Sequence, residues 1–304
     1  MDVGGSFMNY IQLGASDIRA SQLGLGCINF GTTTTKETAF ALMDCYLECG
    51  GNLLDTANNY AIWNGGDGRD SERVIGEYIS RNLEKRKDIV LCTKLGARST
   101  NPEAGFSAMQ GNGRKTILEE VEKSLEALRT SYLDVLYLHV DDYGTELQET
   151  LATLAEVIKK GYVRQIGCSN FRTWRIEKAR QICKQNDYPF FCAIQQRYSY
   201  LQPVMDAKFG VQVAAGEELR DYIEYYKDLT MVSHTSLLFG TYLNGQITDP
   251  NYQTKANEER LRFLREQQTE AVPWVLRYIT EQFGGSIALF TSNSVDHLKK
   301  NLQG

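Results

Sequence analysis

Four side chains in the first half of the sequence could together deliver a proton to a carbonyl oxygen. Asp55 closes the apolar run Asn52–Leu54, and Tyr60 follows five residues later. Lys94 closes the run Ile89–Thr93, and His139 closes Leu133–Leu138. A tyrosine is a weak acid, with an ordinary pKa of about 10. A nearby ammonium favours the phenolate, so Lys94 is expected to lower the pKa of Tyr60, with Asp55 holding that ammonium charged and in place. A neutral His139 could donate a hydrogen bond to the carbonyl oxygen while Tyr60 gives up its proton. That is general-acid catalysis, and it lacks only a hydride source. Taken singly, each residue has an ordinary explanation: a turn cap, a solvated lysine, a hydrogen-bonded core histidine. What argues for the joint reading is their placement at the ends of successive strands, where chance surface residues have no reason to share one rim.

The elements that would position them follow from the apolar pattern. Strand-length runs occur at Asn52–Asp55, Ile89–Lys94, Leu133–His139, Val163–Cys168, Phe190–Ile194, Thr230–Val232 and Ile287–Phe290, with an eighth at Gln22–Gly26. Most are near-continuous, as in parallel strands buried on both faces. Between them lie helical stripes: Phe40, Met43 and Leu47; Ile117, Val121 and Leu125; Leu147, Leu151, Leu154 and Ile158. Thr34 with Glu37 reads as a capping box that opens the first helix. Alternation repeated about eight times in ~300 residues fits an α/β fold of the (β/α)8 TIM-barrel type, a single domain over residues 1–304. The competing architecture is a doubly wound open sheet, but its GxGxxG signature is missing, since Gly24–Gly31 has the wrong spacing. Tyr10–Gly14 and Ala15–Arg19 read as an N-terminal β-hairpin that could plug the barrel bottom. Ala97–Arg114 and Gly240–Asn257 read as long loops, both on the C-terminal face.

Composition removes several function classes. The chain has 304 residues, is 42% hydrophobic and carries a net charge of −5 without blocks of like charge, which argues against a nucleic-acid partner. No run of ~18 apolar residues suggests a membrane span. Met1–Ser6 lacks the basic and apolar regions of a signal peptide. Seven scattered cysteines without a CxxC pair suit a reducing, cytoplasmic setting rather than a disulfide or zinc scaffold. Three histidines, with no HxH or HExxH, make a metal-dependent barrel hydrolase a poor alternative, and no metal site is expected.

Longer motifs identify a resemblance. Asp55-Thr56-Ala57-Asn58-Asn59-Tyr60-Ala61, Ser71-Glu72-Arg73-Val74-Ile75-Gly76, Thr93-Lys94, Tyr137-Leu138-His139, Gly161 through Phe171, and Gln195-Gln196-Arg197-Tyr198-Ser199 resemble stretches of the aldo-keto reductase superfamily. So does Gln22-Leu23-Gly24-Leu25-Gly26-Cys27. The long loop after Tyr60 is most similar to that of bacterial members. The likeness runs in order from about Tyr10 to Leu302. It implies one barrel that binds NADP(H) or NAD(H) and interconverts carbonyls and alcohols. By position, Asp55, Tyr60, Lys94 and His139 match the family's catalytic tetrad. Ser169, Asn170 and Gln195 match residues that bind the nicotinamide carboxamide, although Ser169-Asn170 also reads as a helix N-cap. Gly26, Cys27, Asp55, Thr235, Ser236, Leu237 and Gly240 fall at further cofactor positions.

The sequence departs from the family pattern at both ends of the expected cofactor. His234 stands where an aromatic, commonly tyrosine, stacks on the nicotinamide, and Ser236 replaces a proline. Near the adenosine end, Thr291 and His297 stand where many members carry a lysine and an arginine for the 2′-phosphate; Ser292, His297, Asn301 and Lys299 remain as candidates. The reading leans to NADP(H), with NAD(H) as the alternative. Trp63 and Asp141, after Tyr60 and His139, suggest a small-molecule carbonyl or alcohol, with a sugar- or polyol-derived substrate as one option. Oligomeric state is left open. A slow, cofactor-binding sensor barrel is the alternative to an enzyme.

Overall fold

A computed structural model describes residues 8–266 and 270–302. Met1–Ser6, the segment without signal-peptide features, lie outside the described residues. A two-stranded antiparallel hairpin, β1 (Tyr10–Gln12) and β2 (Arg19–Ser21), precedes eight parallel strands. These are β3 (Leu23–Gly26), β4 (Leu53–Asp55), β5 (Val90–Leu95), β6 (Leu133–Leu138), β7 (Val163–Ser169), β8 (Ala193–Arg197), β9 (Thr230–His234) and β10 (Ser286–Phe290). They pair in chain order, and β10 closes onto β3, so the expected barrel is present and the open sheet is not.

Helices α1 (Lys36–Glu48), α2 (Asp70–Arg81), α3 (Arg114–Ala127), α4 (Leu147–Lys159), α5 (Thr173–Asn186) and α6 (Glu217–Tyr226) follow the first six barrel strands in turn. After β9 come α7 (Thr241–Asn244), α8 (Lys255–Glu266) and α9 (Ala271–Thr280), and α10 (Val295–Leu302) follows β10. Among the described residues, no helix is long and apolar enough to cross a membrane.

Two apolar layers fix the orientation of every strand. Alternate residues point to opposite faces. Leu53, Val90, Cys92, Val135, Tyr137, Ala193, Val232, Ile287 and Leu289 form one buried cluster inside the barrel. Leu54, Leu91, Leu95, Leu136, Leu138, Ile194 and Met231 join the outer layer beneath the helices. The hairpin adds Leu13, Ile18 and Ala20 to the inner cluster, closing the bottom as expected. Gly14 makes that plug possible: its φ is +51°, and a Cβ there would lie 2.3 Å from the Asp228 carbonyl oxygen. Within the barrel, a Cβ on Gly167 would lie 2.4 Å from the Tyr137 ring.

Several boundaries differ from the sequence reading. The Thr34–Glu37 capping box does not form. Thr35 is the N-cap of α1 and accepts from the Thr38 backbone N–H at 3.3 Å, while Thr34 pairs with Phe30 in a short bridge. The strand expected at Phe190–Ile194 begins at Ala193; Phe190 and Phe191 precede it and pack ring to ring, Phe191 also against Phe171. Ser169-Asn170 does not cap α5, whose N-cap is Arg172. A third long connection, residues 198–216, joins β8 to α6 beyond the two expected from sequence.

Candidate active site

Strand parity carries the candidate chemistry to the top of the barrel. The inward set 53, 90, 92, 135, 137, 193 and 232 continues two residues on into Asp55, Lys94, His139, Gln195 and His234. A cleft of about 1250 Å³ opens above them. Of the residues singled out from sequence, Gly26, Asp55, Tyr60, Trp63, His139, Ser169, Asn170, Gln195, His234, Thr235, Ser236, Leu237, Gly240, Thr291, Ser292, His297 and Asn301 line it.

Lys94 lies beneath that floor with no solvent exposure. Its ammonium donates to Asp55 Oδ2 at 2.6 Å, to the Thr56 carbonyl oxygen at 2.8 Å and to Tyr60 Oη at 2.8 Å. An ammonium has three N–H groups and no lone pair, so all three are spent and Tyr60 must be the acceptor in its pair. The tyrosine hydroxyl proton is left for whatever occupies the cleft. Burial alone would strip the charge from Lys94, but Asp55 and the Tyr60 oxygen raise its pKa above the ordinary value. The expected lowering of Tyr60 does not occur in the chain alone. Burial outweighs Lys94 and Asp55 adds to it, so the phenol is pushed up to about 12 and stays protonated at neutral pH.

His139 packs edge-on to Tyr60, ring centroids 5.8 Å apart. Burial, Lys94 and His234 hold its pKa well below the ordinary value, so the ring is neutral. Its Nδ1 is buried without a hydrogen-bond partner. A buried N–H without an acceptor is costlier than a lone pair without a donor, which places the single proton on Nε2.

The carboxamide-type donors and acceptors converge at the cleft base. Ser169 Oγ donates to the Gln195 carbonyl at 2.8 Å, Gln195 Nε2 donates to Asp55 Oδ1 at 3.0 Å, and Asn170 Nδ2 donates to the His139 carbonyl at 3.0 Å. Asn170 holds a left-handed backbone (φ +59°), and Thr235, Leu238, Phe239 and Gly240 do likewise along the cleft wall. Such clustered strain marks a segment shaped for something other than its own stability. His234 Nδ1 lies 2.9 Å from Thr235 Oγ1, and burial, Arg197 and Lys94 push its pKa down to about 3.

Two expected site residues fall elsewhere. Cys27 is fully buried in the outer layer, its thiol 3.5 Å from the Leu25 carbonyl, because its parity turns it away from the cleft. Asp141 does not line the cleft; both its oxygens take Arg175 Nε, at 3.0 and 3.1 Å, and the pair is buried. At the far end, Lys300 rather than Lys299 faces the cleft.

Sequence reasoning also missed Arg197 and residues 209–212. Arg197 is 5% exposed and donates to Tyr252 Oη, Gln212 Oε1 and Asp249 Oδ2 at 2.9, 3.0 and 3.1 Å. It thereby ties the connection after β8 to the one after β9. Parity could have found it, two residues beyond Gln195. The segment 209–212 carries no comparable signal.

A family model described as the aldo/keto reductase family matches residues 22–304. Over 191 residues the chain is 37% identical to a norsolorinic acid reductase of Emericella nidulans, covering 60% of this chain and 48% of that protein. An aryl-alcohol dehydrogenase of Pestalotiopsis microspora is 36% identical over 61% of this chain and 48% of its own. The chain thus spans about half the length of these relatives. A solved aldo-keto reductase of Bacillus halodurans, in its holo form, superposes with a TM-score of 0.75 at 25% identity, covering 97% of this chain and 90% of that one.

Proposed function

This chain belongs to the aldo/keto reductase family, and from that premise we propose that it reduces an aldehyde or ketone to an alcohol with a nicotinamide cofactor, Tyr60 giving the proton. The observation that carries the reading is the spent ammonium of Lys94, which leaves the Tyr60 hydroxyl proton free for a cleft ligand. The residues present suit such a cofactor: Tyr60 and Asn301 line the same cleft, and amide and hydroxyl groups meet at its base. Ser169, Asn170 and Gln195 would hold the carboxamide, and His234 would lie against the ring. The strained segment from Thr235 to Gly240 would follow the pyrophosphate, with Thr291, Ser292, His297, Lys300 and Asn301 at the adenosine end. When bound, the cofactor supplies the hydride.

The chain's own residues do the rest. His139 Nε2–H donates to the carbonyl oxygen and draws charge onto it. Tyr60 Oη passes its proton to that oxygen, and Lys94 stabilises the tyrosinate left behind. Asp55 keeps Lys94 charged. Water then restores the Tyr60 proton.

The substrate reading shifts from polyol towards an aryl carbonyl. Asp141, which favoured hydroxyls, is occupied by Arg175, while Ile28, Trp63, Val140 and Phe209 offer apolar and aromatic surface. One of the two relatives is, by its name, an aryl-alcohol dehydrogenase. Lys300 as the cation in place at the far end favours NADP(H), with NAD(H) usable. Fluorescence titration is expected to show NADPH binding, with NADH weaker by at most about tenfold, or ~1.4 kcal/mol. A preference above about a thousandfold contradicts this.

With NADPH and 4-nitrobenzaldehyde, Tyr60→Phe should lose about 10²–10⁴-fold in kcat while binding cofactor normally. Equal, slow cofactor oxidation by wild type and variant with every carbonyl would sink the enzyme reading.

A further inference from the structure

We infer that Arg69 is a positioning residue that sets the Tyr60–Lys94 geometry through two buried carboxylates. The inference rests on the reductase reading above. Arg69 stands at the N-terminus of α2, outside the cleft, and its backbone forms an isolated bridge with Tyr60. Its guanidinium donates to Glu72 Oε2 at 2.7 Å and to Glu120 Oε2. Glu72 is wholly buried and Glu120 is 3% exposed.

Each carboxylate reaches one half of the candidate acid. Glu72 Oε1 accepts from Thr93 Oγ1 at 2.7 Å, one residue before Lys94. Glu120 Oε2 accepts from Asn58 Nδ2 at 2.7 Å, two residues before Tyr60. The backbone N–H of Asn58 in turn donates to the Lys94 carbonyl at 3.0 Å. The connections thus form a closed circuit: Tyr60 loop, Asn58, Glu120, Arg69, Glu72, Thr93, Lys94.

Chemistry explains why arginine occupies the joint. Two buried carboxylates facing one another cannot both stay ionised without a cation between them. A planar guanidinium holds its donors in a fixed fork, Nη1 to Glu72 and Nη2 to Glu120, whereas the donors of an ammonium turn on a flexible stem. Lys123, 3.0 Å from Glu120 Oε1, supplies the second positive charge. Burial raises the Glu72 pKa despite Arg69, so removing Arg69 would raise it further and weaken the carboxylate that Thr93 bonds. The Tyr60 oxygen would then be free to drift from Lys94.

The test uses Arg69→Ala, Asn58→Ala and the double variant, with folded sites counted by NADPH fluorescence titration. Asn58→Ala removes no charge and covers the case in which Arg69→Ala does not fold. Each single variant is expected to lower kcat with 4-nitrobenzaldehyde about ten- to a hundredfold per cofactor-binding site, with KM within about twofold. The double variant should be no slower than the slower single one, because both break the same circuit. Variants that lose thermal stability yet keep wild-type kcat per site overturn the inference, as do additive losses in the double. An active wild type with indifferent variants refutes only this inference. A wild type that turns over no carbonyl refutes the reductase reading, and this one with it.

Discussion

Two imidazoles show how burial, rather than residue type, decides what a site can do. His139 and His234 are both held neutral by burial, and Lys94 acts on both. In the unfolded chain each would titrate near pH 6.5. As pH falls through that value, the unfolded state takes up protons that the folded state refuses, so stability is lost on acidification. Each histidine contributes about one proton to that slope. Replacing His234 with Phe should make the pH dependence of urea-unfolding free energy about one proton shallower between about pH 6.5 and 5. An unchanged slope would mean that His234 is protonated in the folded protein. Tyr60 behaves in the opposite sense. Its raised pKa keeps the acid form present across the neutral range, so the rate of carbonyl reduction should not track a Tyr60 titration below about pH 9.

Strands were legible where connections were not. A strand alternates its faces, so Leu53 predicts Asp55 inward, and Val90 and Cys92 predict Lys94. Connections have no such period, and their side chains take whatever partner the neighbouring element presents. Asp141 shows the consequence: beside His139 in sequence it resembles a pocket wall, but Arg175 on α5 claims it. Asp142 is likewise tied down, accepting from the Asn112 and Gly144 backbone N–H groups, each at 2.8 Å. Asp141→Asn should therefore cost about 3 kcal/mol of stability by leaving Arg175 buried without its carboxylate, with KM for the carbonyl substrate unchanged within about twofold. A raised KM at unchanged stability would return Asp141 to the substrate pocket. The choice of Thr35 over Thr34 as cap has the same origin, since Thr34 is engaged with Phe30 and its neighbour is free to turn into the helix.

At the scale of the whole molecule, the barrel separates a bottom built for stability from a top built for binding. The bottom depends on the hairpin plug, where Leu13 has no solvent exposure. Leu13→Ala should cost about 2–5 kcal/mol in urea unfolding, with kcat unchanged, because the cavity opens at the end remote from the cleft. A loss below about 1 kcal/mol would mean that the hairpin is not part of the core. Closure also accounts for the cysteines: all seven are free, and every one but Cys49 is buried, with burial the first cause of the raised pKa at the six buried thiols. They fill space among the apolar layers, so their scattered spacing needs no bridge or metal to explain it.

The sequence by itself determined the eight-strand alternation, the hairpin and the inward parity that lifts Asp55, Lys94 and His139 to one rim. Each of these follows from a local repeat, of two residues in a strand and about 3.6 in a helix. Only the tertiary structure decided which of the polar residues near that rim face the cleft. Cys27 and Asp141 turned away; Arg197, Lys300 and residues 209–212 turned in. It also decided the state of the acid. The charge of Lys94 is written in the sequence, but the burial that outweighs its effect on Tyr60 arises only when distant strands close around both. Desolvation depends on the sum of everything packed about a group, and no local spacing encodes that sum.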